Sequence, residues 1–151
     1  SENYVLSFVV MELYHGISCR EWLILHFLTV CNNQWEALQR YAVPETGLWH
    51  AVIDDPDSYL ELSASAAFLR GIMQGVRLGI LKREEYEGLI EKAVKGLLDN
   101  IDDDGTVKNV SYGTPIGLDK EFYNKIPCCP MTYGQALMIL ALQEALTDYW
   151  H

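Results

Sequence analysis

The sequence predicts an all-α chain, and three observations carry that prediction. No segment alternates apolar and polar residues as a half-buried strand would. Long stretches instead repeat apolar residues three and four positions apart, the spacing of one helix face. Three capping boxes mark helix starts: Ser18-Cys19-Arg20-Glu21, Ser58-Tyr59-Leu60-Glu61 and Thr132-Tyr133-Gly134-Gln135. In each, the hydroxyl can accept from an amide of the first turn while the Glu or Gln reaches back to the cap amide.

Five helices follow. The first covers residues 3–14 and ends before Gly16, and the second covers 20–42 and is stopped by Pro44. The third covers 59–80, the fourth 83–100, and the fifth 133–149. The fourth carries Tyr86, Leu89, Ile90, Ala93, Val94, Leu97 and Leu98 on one stripe and charges opposite, the pattern of a helix on the outside of a fold. The third and fifth are small or apolar nearly all round, so they are expected to be buried, with small residues letting neighbours approach. Outward and buried helices then alternate in two layers.

A weak internal repeat agrees with this order. Thr46-Gly-Leu-Trp-His-Ala-Val52 follows one outward helix and precedes a buried one, and Asp104-Gly-Thr-Val-Lys-Asn-Val110 does the same one helix pair later. If the unit repeats, both glycine turns open on one face, where a site can be built.

The chain has 151 residues, half of them apolar, enough for one domain with a core. Its formal charge of −10, with no Lys/Arg cluster, argues against nucleic acid and anionic membrane as partners. Cys19, Cys31, Cys128 and Cys129 form no C-x-x-C pair, which points to free thiols in a reducing compartment, hence a cytoplasmic location. No basic leader precedes the first apolar run, which carries Glu12, and "WLILHFLTVC" is too short to span a bilayer. Two helices apolar all round cannot bury themselves in a two-layer set of five, and the first starts without a lead-in. The sequence therefore predicts one domain, 1–151, that is the C-terminal part of a larger helical ring, its upstream half absent.

Chemistry-bearing residues gather on the turns. Trp49 could stack on a sugar face and His50 hydrogen-bond a hydroxyl or carboxylate; equally, Trp49 fills a gap between helices and His50 is solvated. Asp54, Asp55 and Asp57 could divide acid and base roles, but Asp around Pro56 also serves turns and helix starts. Glu61 is accounted for by its capping box; Ser63 and Ser65, two apart, cannot share a helix face squarely, so one of them could face a polar pocket, and close packing accounts for them equally. Residues 105–134 form a connection too long for an ordinary loop and too rich in Tyr, Phe and aliphatics for disorder. That favours a structured lid, with Ser111, Tyr112, Thr114 and Tyr123 offering hydroxyls. Cys128 and Cys129 have no partner base in sequence and are expected to be buried thiols.

From about Leu38 to Leu146, and specifically in its G-L-W-H, S-Y-x-E-x-S-A-S-A, S-Y-G-T and Y-G-Q strings, the chain resembles the C-terminal portion of unsaturated glucuronyl and rhamnogalacturonyl hydrolases, glycoside hydrolase families 88 and 105. The resemblance implies an incomplete (α/α)6 barrel comprising about its last five helices. It implies removal of an unsaturated uronic acid from oligosaccharides left by polysaccharide lyases, without metal or organic cofactor. An Asp protonates the C4=C5 double bond, water adds at C5, and the hemiketal opens to expel the aglycone. This sequence does not reproduce the motif of that Asp, so no catalytic residue is assigned in it. The resemblance implies substrate contacts for Tyr4, Trp49, His50, Ser111, Tyr112, Thr114 and Tyr133. Two alternatives stay open: a non-catalytic helical-repeat binding module, and self-association of two chains to complete a barrel.

Overall fold

The structure is a computed structural model that describes residues 19–148. It contains α1 (Cys19–Tyr41), α2 (Leu62–Arg77), α3 (Arg83–Leu98), the short α4 (Lys120–Asn124) and α5 (Thr132–Asp148). The helix expected over 3–14, with Tyr4, and the Ser18 cap lie outside the described residues. Within these, β pairing is confined to isolated antiparallel bridges, His50 with Leu60, Ile101 with Val107 and Ser111 with Cys128.

The chain divides into two compact units, Ser1–Glu36 and Ala37–His151, and α1 crosses the border. In the first unit, the Trp22 indole lies flat on the ring of His26, one turn on, with centroids 5.2 Å apart.

In the second unit α2 is central and packs against both α5 and α3. No residue from Leu62 to Val76 is exposed, as its small and apolar composition leads one to expect. Its Leu62, Ala66, Leu69 and Ile72 are fully buried. Burying each large aliphatic side chain contributes about 1.5–3 kcal/mol relative to leaving it exposed. The outward helix α3 buries Tyr86, Ile90, Ala93 and Leu97 at four- and three-residue steps and keeps its charges in water. Helix α5 departs from the expectation of burial all round. It buries Met138, Ala141 and Ala145 but exposes Ile139, Leu140 and Leu146.

Two glycine turns fit against small residues. Gly47 has a φ of +69°, and a Cβ there would lie 2.6 Å from the Ala93 amide nitrogen. Gly96, one turn further along α3, receives the Thr46 carbonyl and the Leu48 side chain. Only glycine satisfies both the backbone angle and the approach at position 47. The second turn shares the backbone angle but not the close approach: Gly105 is at φ +86° in open space, and the contact is instead Val110 seated on Gly134 of α5.

The repeat in sequence thus has a structural counterpart, because both turns deliver a backbone carbonyl to the start of α2. Glu61 N donates to Trp49 O at 3.0 Å, and Leu62 N to Asn109 O at 3.0 Å. These bonds also explain why α2 starts later than the sequence suggested. Tyr59 and Leu60 are held extended against Ala51 and His50. Ser58 Oγ accepts from Val52 N at 3.1 Å, so it serves the turn and not the helix. Glu61 is the N-cap instead, its carboxylate accepting from Ala64 N. At the other end Gly79, φ +69°, stops α2 short of Ile80.

Candidate functional site

A cavity of about 350 Å³ opens at the N-terminal ends of α2 and α5. Helix α2 contributes Ser63, Ala64 and Ala67, preceded by Tyr59 and Glu61, while α5 contributes Tyr133 and Leu137. The remaining wall is Ala51 from the first turn and Ser111, Gly113, Thr114, Tyr123 and Ile126 from the long connection. Small residues on the first turns of α2 leave the room that the cavity occupies.

Glu61 organises the wall. It is 5 % exposed, and a carboxylate that deep requires partners. Oε1 accepts from Ser111 N at 3.0 Å, Oε2 from Ala64 N at 2.6 Å, and the Ser63 hydroxyl lies 2.9 Å from both oxygens. Thus one side chain caps α2 and fixes the connection that crosses over it. Around Ser111 the hydroxyls converge. Tyr59 Oη donates to Ser111 Oγ at 3.2 Å, and Tyr133 Oη donates to the Ser111 carbonyl. Burial, with the Glu61 charge adding, raises the pKa of both tyrosines, although the Ser111 bond partly offsets this at Tyr59. Both phenols therefore remain neutral donors at ordinary pH. The result is a cup of fixed hydroxyls beside aromatic and alanine surface, a surface suited to a polyhydroxylated ring.

The long connection is structured. Tyr112 N donates to Pro127 O and Cys129 N to Val110 O, closing a neck at residues 110–112 and 127–129. Between them the chain makes a compact excursion containing α4, with its ends close together as in an Ω-loop. The aspartates of the first turn hold this excursion from outside. Lys120 Nζ is 2.9 Å from Asp54 Oδ1, and Asn124 Nδ2 donates to Asp55 Oδ2 at 3.0 Å. The Asn124 bond, then the Asp57 amide, then the charges of Lys120 and His50 hold Asp55 below the usual carboxylate range. Asp57 itself does not line the cup and serves the turn through its amide.

The residues singled out in sequence divide accordingly. Ser111, Thr114 and Tyr133 line the cup, and Tyr123 with them. Trp49 does not: it is 0 % exposed, donates Nε1–H to Leu38 O at 2.8 Å, and meets Phe68 edge-on. Its ring thus presents no face to a sugar. His50 is half-buried, with Nδ1 donating to the Ser58 carbonyl, and lies outside the cup wall. Tyr112 lines a neighbouring depression. Tyr59 and Glu61 were missed as wall residues because the capping-box reading accounted for Glu61 at Ser58. The Ser-x-Ser spacing did signal the split: Ser63 faces the cup while Ser65 is buried, its Oγ accepting from Trp49 N at 3.0 Å. The cysteines were expected to be buried, yet Cys128 is exposed and Cys129 half-buried. Partial burial of the Cys128 thiol and the Glu61 charge push its pKa up, the reverse of what activates a nucleophile. Among the described residues no group of three or more His, Cys, Asp and Glu is placed to hold a metal, and no helix is long and apolar enough to cross a membrane.

Known proteins share this arrangement. Residues 25–149 match the family model of Glycosyl Hydrolase Family 88. The chain is 37 % identical over 115 residues to the unsaturated rhamnogalacturonyl hydrolase YesR of Bacillus subtilis, a stretch that is 76 % of this chain and 31 % of that protein. Two crystal structures described as possible members of the GH105 family, from Klebsiella pneumoniae and Salmonella enterica, share 43 % and 41 % identity with it. Each superposes with a TM-score of 0.77 over 82 % of this chain and 32 % of its own. The chain thus spans about a third of the length of these relatives, and its helices are arranged as part of their (α/α)6 barrel. With most of its length matched in sequence and its helices superposed in space, the chain belongs to glycosyl hydrolase family 88.

Proposed function

We propose that this chain is part of an unsaturated uronyl hydrolase and supplies one wall of its sugar site. The complete enzyme would remove an unsaturated uronic acid from oligosaccharides produced by polysaccharide lyases. The general acid, an Asp, would come from the two thirds of the relatives' length that this chain does not span. It would protonate C4 of the C4=C5 bond, water would add at C5, and collapse of the hemiketal would release the aglycone. The observation that carries the reading is the cup built on Glu61 and Ser111, where Tyr59, Ser63 and Tyr133 hold hydroxyls ready for a ring's hydroxyl groups. Family membership and the activity named for YesR support it. The unpaired Cys31, Cys128 and Cys129 favour a reducing, cytoplasmic setting.

The test is loss of the double bond's ultraviolet absorbance on incubation with unsaturated uronyl disaccharides. This chain alone is expected to leave the absorbance unchanged, while a chain extended upstream to the length of its relatives consumes it. Turnover by this chain alone would place the acid within it and overturn the assignment, and Asp54, Asp55 and Asp57 would be replaced first. An extended chain that binds but never turns over would favour the non-catalytic binding module.

A further inference from the structure

One stripe of α2 runs Ser63, Ala67, Arg70, Gln74 and Arg77, at the three- and four-residue steps that share a helix face. Its N-terminal members, Ser63 and Ala67, line the cup. Its C-terminal members meet α5: Arg77 Nε is 2.6 Å from Glu144 Oε1, and Gln74 Nε2 is 3.4 Å from Glu144 Oε2. Arg70 stands between the two groups and belongs to neither. It is half-buried, its Nε–H is fully buried, and no group accepts from that N–H. We propose that Arg70 is a receptor for a carboxylate, and that this carboxylate is a side chain of the polypeptide that completes the barrel around α2 and α5. The inference rests on the reading of this chain as part of a larger enzyme.

Three features argue for it. First, the charge is permanent. A guanidinium does not lose its proton in a protein, so burial of Arg70 cannot be relieved by neutralisation and calls for an acceptor. Second, the donor set names the class of occupant. Nε–H and its neighbouring Nη–H form a planar fork that matches the two oxygens of a carboxylate. Arg77 Nε, two turns further along the stripe, has the carboxylate that Arg70 Nε lacks. Third, the surrounding elements offer none. Among the described residues no carboxylate forms an ion pair with Arg70. One turn to either side on α2 stand Ala66, Ala67, Met73 and Gln74, and on α5 the turn before Glu144 brings Leu140 and Ala141. Helix α5 also leaves Ile139, Leu140 and Leu146 in water. A helix carrying one acidic residue among apolar ones would meet both needs. The sugar is not the occupant, because Arg70 is no part of the cup wall.

Arg70→Met and Arg70→Lys test this, since Met removes the donors and Lys keeps the charge without the fork. In this chain alone, Arg70→Met takes away an unpaired donor and should leave the melting midpoint unchanged or raise it. In a chain extended upstream to the length of its relatives, the same change strands the partner carboxylate. The midpoint should then fall by about 6 °C or more, and Arg70→Lys should recover only part of the loss. The same shift in both chains would overturn the assignment, while the absorbance assay on the extended chain reports separately on the enzyme reading. A second measurement uses this chain with acetate as probe and follows the nuclear magnetic resonance signal of Arg70 Nε–H, identified by its loss in Arg70→Lys. Acetate should shift the signal saturably, and chloride at equal ionic strength should shift it less. No shift with acetate would overturn the receptor. A shift produced by the unsaturated uronic acid monosaccharide at concentrations where acetate has no effect would assign Arg70 to the sugar and overturn the side-chain occupant. Acetate binding without any monosaccharide binding would remove the cup reading and leave the receptor standing.

Discussion

The carboxylate of Glu61 and the backbone amide of Ser111 are joined by a 3.0 Å hydrogen bond across fifty positions of chain. Through it the cap of α2 also determines where the wall of hydroxyls stands.

Glu61→Ala is expected to remove more than a cap. A lost N-cap costs about 1 kcal/mol, and leaving the Ser111 amide buried without its acceptor costs about 1–3 kcal/mol more. Chemical denaturation should show a combined loss of about 2–4 kcal/mol. Glu61→Gln, which keeps an acceptor, should lose about half as much or less. Equal midpoints for the wild type and the alanine variant would show that Ser111 is positioned by other groups.

Glycines at different sites should respond in opposite directions. Gly47→Ala places a methyl 2.6 Å from the Ala93 amide at a φ of +69°, and should destabilise by about 2 kcal/mol or more. Gly88→Ala, inside α3 with nothing within 4 Å, should stabilise by about 1 kcal/mol. Thermal unfolding of the two variants gives the comparison. A Gly47→Ala protein as stable as wild type would show that the turn can move off α3.

Acid should loosen the excursion before it unfolds the core. The folded-state pKa of Asp55 is lowered from 3.8, so its contribution is present above 3.8 and is lost as pH falls through the folded value. Hydrogen exchange or pepsin cleavage at residues 113–126 should therefore rise below pH 4 while the α2 and α3 amides stay protected. Asp55→Asn should remove the part of that pH dependence that arises at Asp55. Protection of the excursion unchanged down to pH 2 would show that Asp55 does not hold it.

Alkali acts on the other side of the cup. Tyr59 and Tyr133 have folded pKa values raised from 10.0, so the stability they lend is complete below 10.0 and declines as pH rises through the folded values. Spectrophotometric titration of Tyr59→Phe and Tyr133→Phe, each compared with wild type, should remove a phenol that ionises above pH 10. Removal of a phenol titrating below 10 would contradict the burial described for the cup.

Much of this architecture was legible in sequence because period and punctuation agree along α1 and α3. The apolar stripe of α3 and the stop at Pro44 are local signals, and local signals survive folding. The start of α2 was not legible, since Ser58 and Glu61 satisfy the capping-box pattern while tertiary bonds from the Trp49 and Asn109 carbonyls decide the boundary. Gln135 shows the same effect. Its side chain binds Val107 N and Gly105 O of the second turn, and not the cap of its own helix. The site divided similarly. Hydroxyls on the S-Y-G-T stretch could be picked out by type, but whether each side chain faces the cup, the outer depression or the core depends on the neck at residues 110–112. Trp49 misled for a related reason, because a Trp beside a His on a turn reads alike whether its indole meets ligand or fills the core.

The arrangement around Glu61 also orients any acidic ligand. Among the described residues no lysine or arginine lines the cup, and at the start of α2 the amides of Leu62, Ala64 and Ser65 are already bonded to Asn109 O and to Glu61. A helix start that would otherwise attract an anion is thus filled from within by the protein's own carboxylate. If the cup holds a uronate, as proposed, that ring would be repelled at its acid group and welcomed at its hydroxyls. Its carboxylate would then turn outward, and recognition of its negative charge would fall to groups beyond this wall.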